Sequence, residues 1–164
     1  MKKLLIIAPL GKNSAPRQEI IIKRRLIDDG HKVDSLTNKN TGFKRLLDIA
    51  INGISRIIKN DVILINVFGG KAFIYESISI IYGRMFNKYV VVILRGGWLP
   101  DYYNKFKIIY KSILNMADTI VVPSNYLLDE LNAMGQRIDY VVPNFIDLKE
   151  YQFRLRSQIS PKIL

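Results

Sequence analysis

The 164-residue chain contains no cysteine and only one histidine, His31. The missing thiols exclude a disulfide framework and thiolate metal sites, and they suit a reducing compartment. A single imidazole also excludes a multi-histidine metal centre, so no metal ion is expected. His31 opens the second predicted strand, at the end opposite the expected ligand edge, and this position favours a structural role.

Long apolar runs are missing as well. No uninterrupted stretch reaches the ~18 residues that a transmembrane helix needs, because Glu76, Arg84 and Lys88 interrupt the longest candidates. The apolar run Leu4–Leu10 has no small-residue cleavage site after it, which favours a first core strand over a signal peptide. The sequence therefore predicts a cytoplasmic location, with peripheral attachment to the inner face of the membrane left open.

Neither common nucleotide fingerprint is complete. The first predicted strand is followed by the single Gly11 rather than by G-x-G-x-x-G. The segment Gly69–Ala72 resembles part of a P-loop, but Ile65 stands where the first glycine belongs and Ala72 replaces the Ser or Thr after the lysine. A glycine turn between a strand and a helix is the favoured interpretation of this segment.

Positive charge is abundant and unevenly placed. Residues 1–112 carry 20 Lys/Arg and 8 Asp/Glu, a balance of +12, whereas residues 113–164 carry 5 and 6, a balance of −1. The sum of +11 points to an anionic partner, and the alternative is a lysine-rich surface that only keeps the protein in solution. Nucleic acid is not expected, because RNP-like, helix-turn-helix and zinc-finger signatures are absent. Basic residues beside apolar helical stripes fit either a surface that sits on anionic lipid or core packing with a solvated face, and these residues are Lys44, Arg45, Arg56, Lys59, Lys105, Lys107 and Lys111.

Short apolar runs alternate with helical patterns along residues 1–143. The pattern predicts an α/β fold, a Rossmann-like parallel sheet with helices on both faces. Residues 144–164 are predicted to be a linker and the truncated start of a second domain. The predicted strands are Leu4–Ala8, Lys32–Leu36, Asp61–Val67, Tyr89–Leu94, Thr119–Val122 and Asp139–Val142. The first predicted helix is capped by Ser14, has Pro16 in its first turn and ends at about Asp29. The other predicted helices cover Phe43–Lys59, Ala72–Phe86, Asn104–Met116 and the stretch from Ser124 to Met134.

Ligands of such sheets bind beyond the carboxyl ends of the strands. The most informative loop at this edge is Arg95–Asp101, "RGGWLPD". Gly96 and Gly97 let the backbone approach a ligand, Arg95 can bind phosphate or carboxylate, Trp98 can stack on a sugar, and Asp101 can accept hydroxyl protons. The alternative is a tight turn in which Trp98 fills the core and Arg95 pairs with Asp101.

Two segments near the end of the chain resemble the junction region of GT-B glycosyltransferases of family 4. "ADTIVVPSNYLLDEL" is similar to the family pattern A-D-x-[IV]-[IV]-x-x-S, and "VVPNFIDLKEY" is similar to V-x-P-N-x-[VI]-D. The matching residues are Ala117, Asp118, Ser124, Val141, Pro143, Asn144 and Asp147. An L-x-x-x-G-H-x-V element at Leu26–Val33 and a G-G-x-L-P element at Gly96–Pro100 extend the resemblance.

The resemblance implies the acceptor-side half of a retaining, sugar-nucleotide-dependent enzyme of bacterial surface polysaccharide synthesis. The partners it implies are a sugar or lipid-linked acceptor and a C-terminal donor-binding domain, supplied in cis or in trans. That second half would hold the nucleotide-sugar, so no cofactor is expected on these residues alone. Gly11 and Lys12 would approach the donor phosphates or the acceptor, and Arg95 would position an anionic group. Trp98 and Asp101 would bind sugar, and the cleft would be shaped by Ser124, Asn125 and Asn144.

One position departs from the family. Many members carry His directly before the glycine that follows the fourth strand, and here Arg95 stands there. Arginine cannot act as a base. Retaining members are thought to need none, because the donor phosphate takes the acceptor proton. The alternative to an enzyme is a stand-alone α/β module that binds a phosphorylated or lipidic ligand.

Overall fold

The computed structural model describes residues 1–8, 18–36 and 48–144. Its centre is an all-parallel six-stranded sheet in the order β2-β1-β3-β4-β5-β6. The strands are β1 (Lys3–Ile7), β2 (Lys32–Leu36), β3 (Val62–Val67), β4 (Tyr89–Leu94), β5 (Thr119–Val122) and β6 (Tyr140–Val141). The predicted Rossmann-like α/β fold is confirmed.

The helices of the described residues follow the predicted pattern, except for two short non-α turns and for the division of one predicted helix into two. They are α1 (Gln18–Asp28), α2 (Ile54–Lys59), α3 (Phe73–Met85), α4 (Leu99–Lys105), α5 (Lys107–Leu114) and α6 (Asn125–Ala133). A π-helical turn, Asp48–Gly53, leads into α2, and a 3₁₀ turn, Gly70–Ala72, leads into α3. The predicted helix starts at Ser14 and Phe43 lie outside the described residues.

The single helix predicted over Asn104–Met116 is wrong. The chain turns helical earlier, at Leu99, because Pro100 is suited to a first helical turn. It then breaks at Phe106, whose φ of −126° and ψ of 39° are not helical. The break lets two short helices each bury their own apolar face.

The helices lie on both faces of the sheet. Alternate strand residues point to opposite faces, so Ile63 and Ile65 face one side while Leu64 and Asn66 face the other. Ile63 and Ile65 belong to the main core, which also contains residues of α2, α3, α4, α5 and α6. Asn66 instead bonds to Glu19 of α1. Helix α1 therefore covers the second face. The chain moves from β1 to β2 in one direction and from β2 past β1 to β3 in the other, and right-handed crossovers then place the connecting helices on opposite faces.

Three aspartates close the amino edge of the sheet. Asp61 accepts the backbone N–H of Lys3 at 2.9 Å, Asp118 that of Val90 at 2.8 Å, and Asp139 that of Ile120 at 2.7 Å. Each aspartate directly precedes one strand and accepts a backbone N–H near the start of the neighbouring strand. Asp118, a residue of the glycosyltransferase-like motif, therefore has a structural task at this edge.

Among the described residues, no helix is both long and apolar enough to cross a bilayer.

Candidate functional site

The Arg95–Asp101 segment leaves the carboxyl edge of the sheet directly after β4 and runs into the first turn of α4. Arg95 N–H donates to the carbonyl of Val67 at 2.7 Å, which extends the β3–β4 pairing by one residue. Gly96 then turns the chain with φ +104°. Trp98 is left 76% exposed, whereas Leu99 is fully buried. The alternative in which Trp98 fills the core is therefore wrong, and the indole presents a flat surface to solvent.

The two glycines of this loop have different tasks. Gly96 has a positive φ, and a Cβ there would lie 3.5 Å from the carbonyl oxygen of Phe68. A Cβ on Gly97 would meet nothing within 4 Å. Backbone conformation therefore requires glycine at Gly96 and not at Gly97, where the free space suits close approach of a ligand.

This difference gives a matched pair of variants. We expect Gly96→Ala to lower the free energy of unfolding by about 1–2 kcal/mol, because an L side chain is strained at positive φ. Gly97→Ala should change it by less than about 0.5 kcal/mol. Urea unfolding of both variants checks the prediction, and equal losses would contradict it.

The guanidinium of Arg95 is engaged by helix α1. Its Nη1 lies 3.4 Å from Oε1 of Glu19 and donates to Oε1 of Gln18. The side chains of Arg95 and Glu19 are 10% and 1% exposed, so the ion pair is almost free of solvent. Burial lowers the pKa of Arg95 from its ordinary value, and the nearby Glu19 carboxylate opposes this shift. Asp101 is exposed and has no ion pair with Arg95, so the predicted alternative pairing is wrong.

The ion pair belongs to a larger buried polar cluster. Nδ2 of Asn66, on β3, donates to Oε1 of Glu19 at 2.7 Å. Three buried atoms of the cluster have no partner among the described residues: Glu19 Oε2, Asn66 Oδ1 and Arg95 Nε. Sequence reasoning missed Glu19, Gln18 and Asn66. The available signal was Asn66, a polar residue inside the apolar strand Val62–Val67.

A groove of about 160 Å³ opens beside this cluster, on the sheet face that α1 covers in part. Its polar lining comes from Gln18, Arg95 and Asn144. Its floor is the apolar side of the central strands, formed by Leu64, Val91, Ile93 and Val121. The fold thus brings together two predicted site residues, Arg95 and Asn144, that are far apart in the sequence.

The remaining predicted site residues that the structure describes lie outside this groove lining. Ser124 begins α6, and its hydroxyl accepts the N–H of Leu127 at 3.4 Å, so it is a helix N-cap. Asn125 and Asp101 are exposed at the first turns of α6 and α4. Gly11 and Lys12 lie outside the described residues. The described site therefore has two parts, the groove and the exposed Gly96–Asp101 surface.

The glycine turn after β3 is held from within the protein. Glu76 accepts the N–H groups of Phe68 at 3.1 Å and Gly69 at 3.4 Å, and the Tyr110 hydroxyl accepts that of Gly70 at 3.1 Å. These N–H groups are the donors that a phosphate would need. Their engagement supports a structural turn and argues against a phosphate cradle.

Within residues 1–8, 18–36 and 48–144, no three His, Asp or Glu side chains approach closely enough to hold a metal ion. No protein-family model matches the chain, and no curated protein is significantly similar to it.

Proposed function

We propose that this chain is the acceptor-binding N-terminal half of a retaining glycosyltransferase of the GT-B type. The complete enzyme would move a sugar from a nucleotide-sugar to a glycan or lipid-linked acceptor of a bacterial surface polysaccharide. The observation that carries the proposal is the position of Asn144. This residue of the P-N-x-x-D element lines one groove with Arg95, and each of the two follows the carboxyl end of a strand, where parallel sheets bind ligands.

The rest of the motif is compatible with the same proposal. Asp118 ties β4 to β5 at the amino edge, and Ser124 begins α6 at the opposite edge. Pro143 lies in the groove beside Asn144. These residues therefore fix the strands and the helix that frame the cleft, which gives a physical reason for their types at these positions.

The exposed loop supports an acceptor site. Trp98 offers an open aromatic face, and sugars present apolar ring faces that stack on such surfaces. Asp101 is three residues further on and also exposed, so its carboxylate can accept bonds from sugar hydroxyls. Gly97 leaves free space between the loop backbone and an incoming ligand. We assign sugar binding to this surface.

Arg95 has a different role in the proposal. Its charge is balanced by Glu19, so an anionic ligand would have to compete with a buried carboxylate. We therefore propose Arg95 as a positioning residue that fixes α1 beside the groove. Binding of an anionic group by Arg95 stays a prediction.

The acceptor site can be tested by fluorescence, because Trp98 is the only tryptophan of the chain. We expect soluble oligosaccharides to change its emission in a saturable way. Asp101→Ala should raise the dissociation constant about tenfold, because a hydrogen bond to a charged group contributes about 1.5–3 kcal/mol. Asp129→Ala removes an exposed carboxylate from α6 and is the control.

A saturable response to inorganic phosphate or to soluble lipid headgroups, without any response to sugars, would contradict the acceptor assignment. That result would favour the non-enzymatic α/β module instead.

A further inference from the structure

Helices α4 and α5 and the residue between them, Phe106, carry a group of exposed apolar side chains, which we call the apolar ridge. Its members are Tyr102, Phe106, Ile108 and Ile109, which are 40%, 45%, 83% and 57% exposed, with Trp98 at one end. The N–H of Tyr102 donates to the Trp98 carbonyl, and the N–H of Phe106 donates to the Tyr102 carbonyl. Trp98, Tyr102 and Phe106 therefore lie on successive turns, and Ile108 and Ile109 follow in the first turn of α5.

The apolar ridge is not needed for the core. The inward face of the same two helices is formed by other residues, and these are almost completely buried: Leu99, Tyr103, Tyr110 and Leu114. Both helices are thus fully packed on one side while large apolar groups remain in solvent on the other. Contiguous exposed apolar groups of this kind mark interaction surfaces.

The charges beside the apolar ridge are positive. Lys105, Lys107 and Lys111 are all exposed, and the Lys105 ammonium lies 5.6 Å from the centre of the Phe106 ring. Between Trp98 and Leu114 the single acidic residue is Asp101, so three positive charges and one negative charge give +2. The described ion pairs include none of the three lysines.

The basic residues predicted to face a membrane fall into separate groups. Arg56 and Lys59 belong to α2, where Arg56 pairs with Asp34 at 3.3 Å and donates to the Ser35 carbonyl. Helix α3 contacts both α2 and α5 and lies between them. Lys44 and Arg45 lie outside the described residues. The lysines of α4 and α5 are therefore the group that adjoins exposed apolar side chains.

We propose that the apolar ridge docks the protein onto an anionic lipid bilayer. Phe106, Ile108 and Ile109 enter the interfacial region, and the three lysines meet the headgroup phosphates. A second copy of the chain fits less well, because each molecule carries +11 and would present the same lysines. Docking does not depend on sugar transfer. Trp98 lies at the end of the ridge that adjoins the proposed acceptor surface, so a lipid-linked acceptor would reach that surface from the bilayer.

The test uses the full chain with vesicles of phosphatidylcholine containing phosphatidylglycerol, and with vesicles of phosphatidylcholine alone. We expect cosedimentation and a blue shift of Trp98 emission with the anionic vesicles, both reversed as salt rises. Neutral vesicles should bind at least tenfold more weakly. Binding without dependence on anionic lipid would overturn the proposal, as would the absence of binding to either vesicle.

Two pairs of variants locate the surface. The double variant Ile108→Ser/Ile109→Ser should weaken partitioning at least tenfold, whereas Ile20→Ser/Ile27→Ser on the exposed side of α1 should leave it within twofold. Replacing Lys105, Lys107 and Lys111 by Gln should weaken it roughly a hundredfold, because each lysine contributes about fivefold near an anionic surface. Replacing Lys2, Lys32 and Lys59 by Gln should weaken vesicle partitioning by less than tenfold.

Equal losses in the test and control variants would overturn the assignment to the apolar ridge. So would a lipid-free dimer in sedimentation equilibrium that Ile108→Ser/Ile109→Ser dissociates, because the ridge would then be a contact between copies. Failure of vesicle binding would leave the oligosaccharide response of Trp98 unchanged, so the two proposals fail separately.

Discussion

Replacing Arg95 by Met should lower the free energy of unfolding by about 3–5 kcal/mol, because the substitution leaves a carboxylate buried without its partner. Glu19 is 1% exposed and lies 3.4 Å from the guanidinium. Among the described residues, its remaining partner at this oxygen is the amide of Asn66, which cannot neutralise the charge. Urea unfolding measures the loss as a lower midpoint at an unchanged m-value.

The double variant Arg95→Met/Glu19→Gln separates the charge effect from packing. Glutamine keeps an acceptor for Asn66 and removes the charge, so we expect most of the lost stability to return. Should Arg95→Met fail to fold, the double variant remains informative, because a folded double variant identifies the unpaired carboxylate as the cause. Loss of equal size in both variants would contradict this account.

Arg84→Met is the matched control. Arg84 also pairs with a carboxylate, that of Asp118 at 3.2 Å, but the Arg84 side chain is 58% exposed. Exposed ion pairs contribute about 0–1 kcal/mol, so this variant should change stability little. A large loss in the control would show that removal of any arginine, rather than burial, determines the effect.

The fold could be predicted from the sequence because its signals are local. Val- and Ile-rich runs such as Val62–Val67 and Tyr89–Leu94 alternate with helical patterns, and continuous apolar strands indicate a sheet covered on both faces. The start of the helix at Ser124 was correctly predicted, and the Ser124 hydroxyl caps this helix by accepting the N–H of Leu127. The break at Phe106 was missed because apolar residues recur at helical spacing on both sides of Phe106. The break is determined by tertiary packing, in which α4 and α5 each bury a separate face.

The site was harder to predict because its contacts are long-range. Arg95 was recognised as a residue of the ligand edge, but Gln18 and Glu19, its partners, precede it by more than seventy residues. Nothing in the local sequence pairs them, because the neighbourhood of α1 and β4 arises only when the sheet forms. The exposure of Trp98 could not be predicted either, since tryptophan contributes both to cores and to binding surfaces.

The second large effect concerns sugar transfer. We expect residues 1–164 alone to transfer no sugar from any nucleotide-sugar. The resemblance implies a donor half that grips the nucleotide-sugar with a Lys or Arg and a Glu-x7-Glu element, and no Glu-x7-Glu element is found among these residues. Joining that half should raise the rate by at least about a thousandfold, since enzymes exceed uncatalysed reactions by a million-fold or more. The half to be joined is one that carries these elements, encoded in the same reading frame or in an adjacent one.

Sugar transfer from a panel of labelled nucleotide-sugars to a lipid-linked or glycan acceptor, with and without the joined half, is the most direct test of the proposed function. The account predicts product from the joined protein, none from residues 1–164, and a reduced yield when Asp101→Ala is introduced into the joined protein. Turnover by residues 1–164 alone, or no transfer by a folded protein that carries the Glu-x7-Glu half, would contradict it.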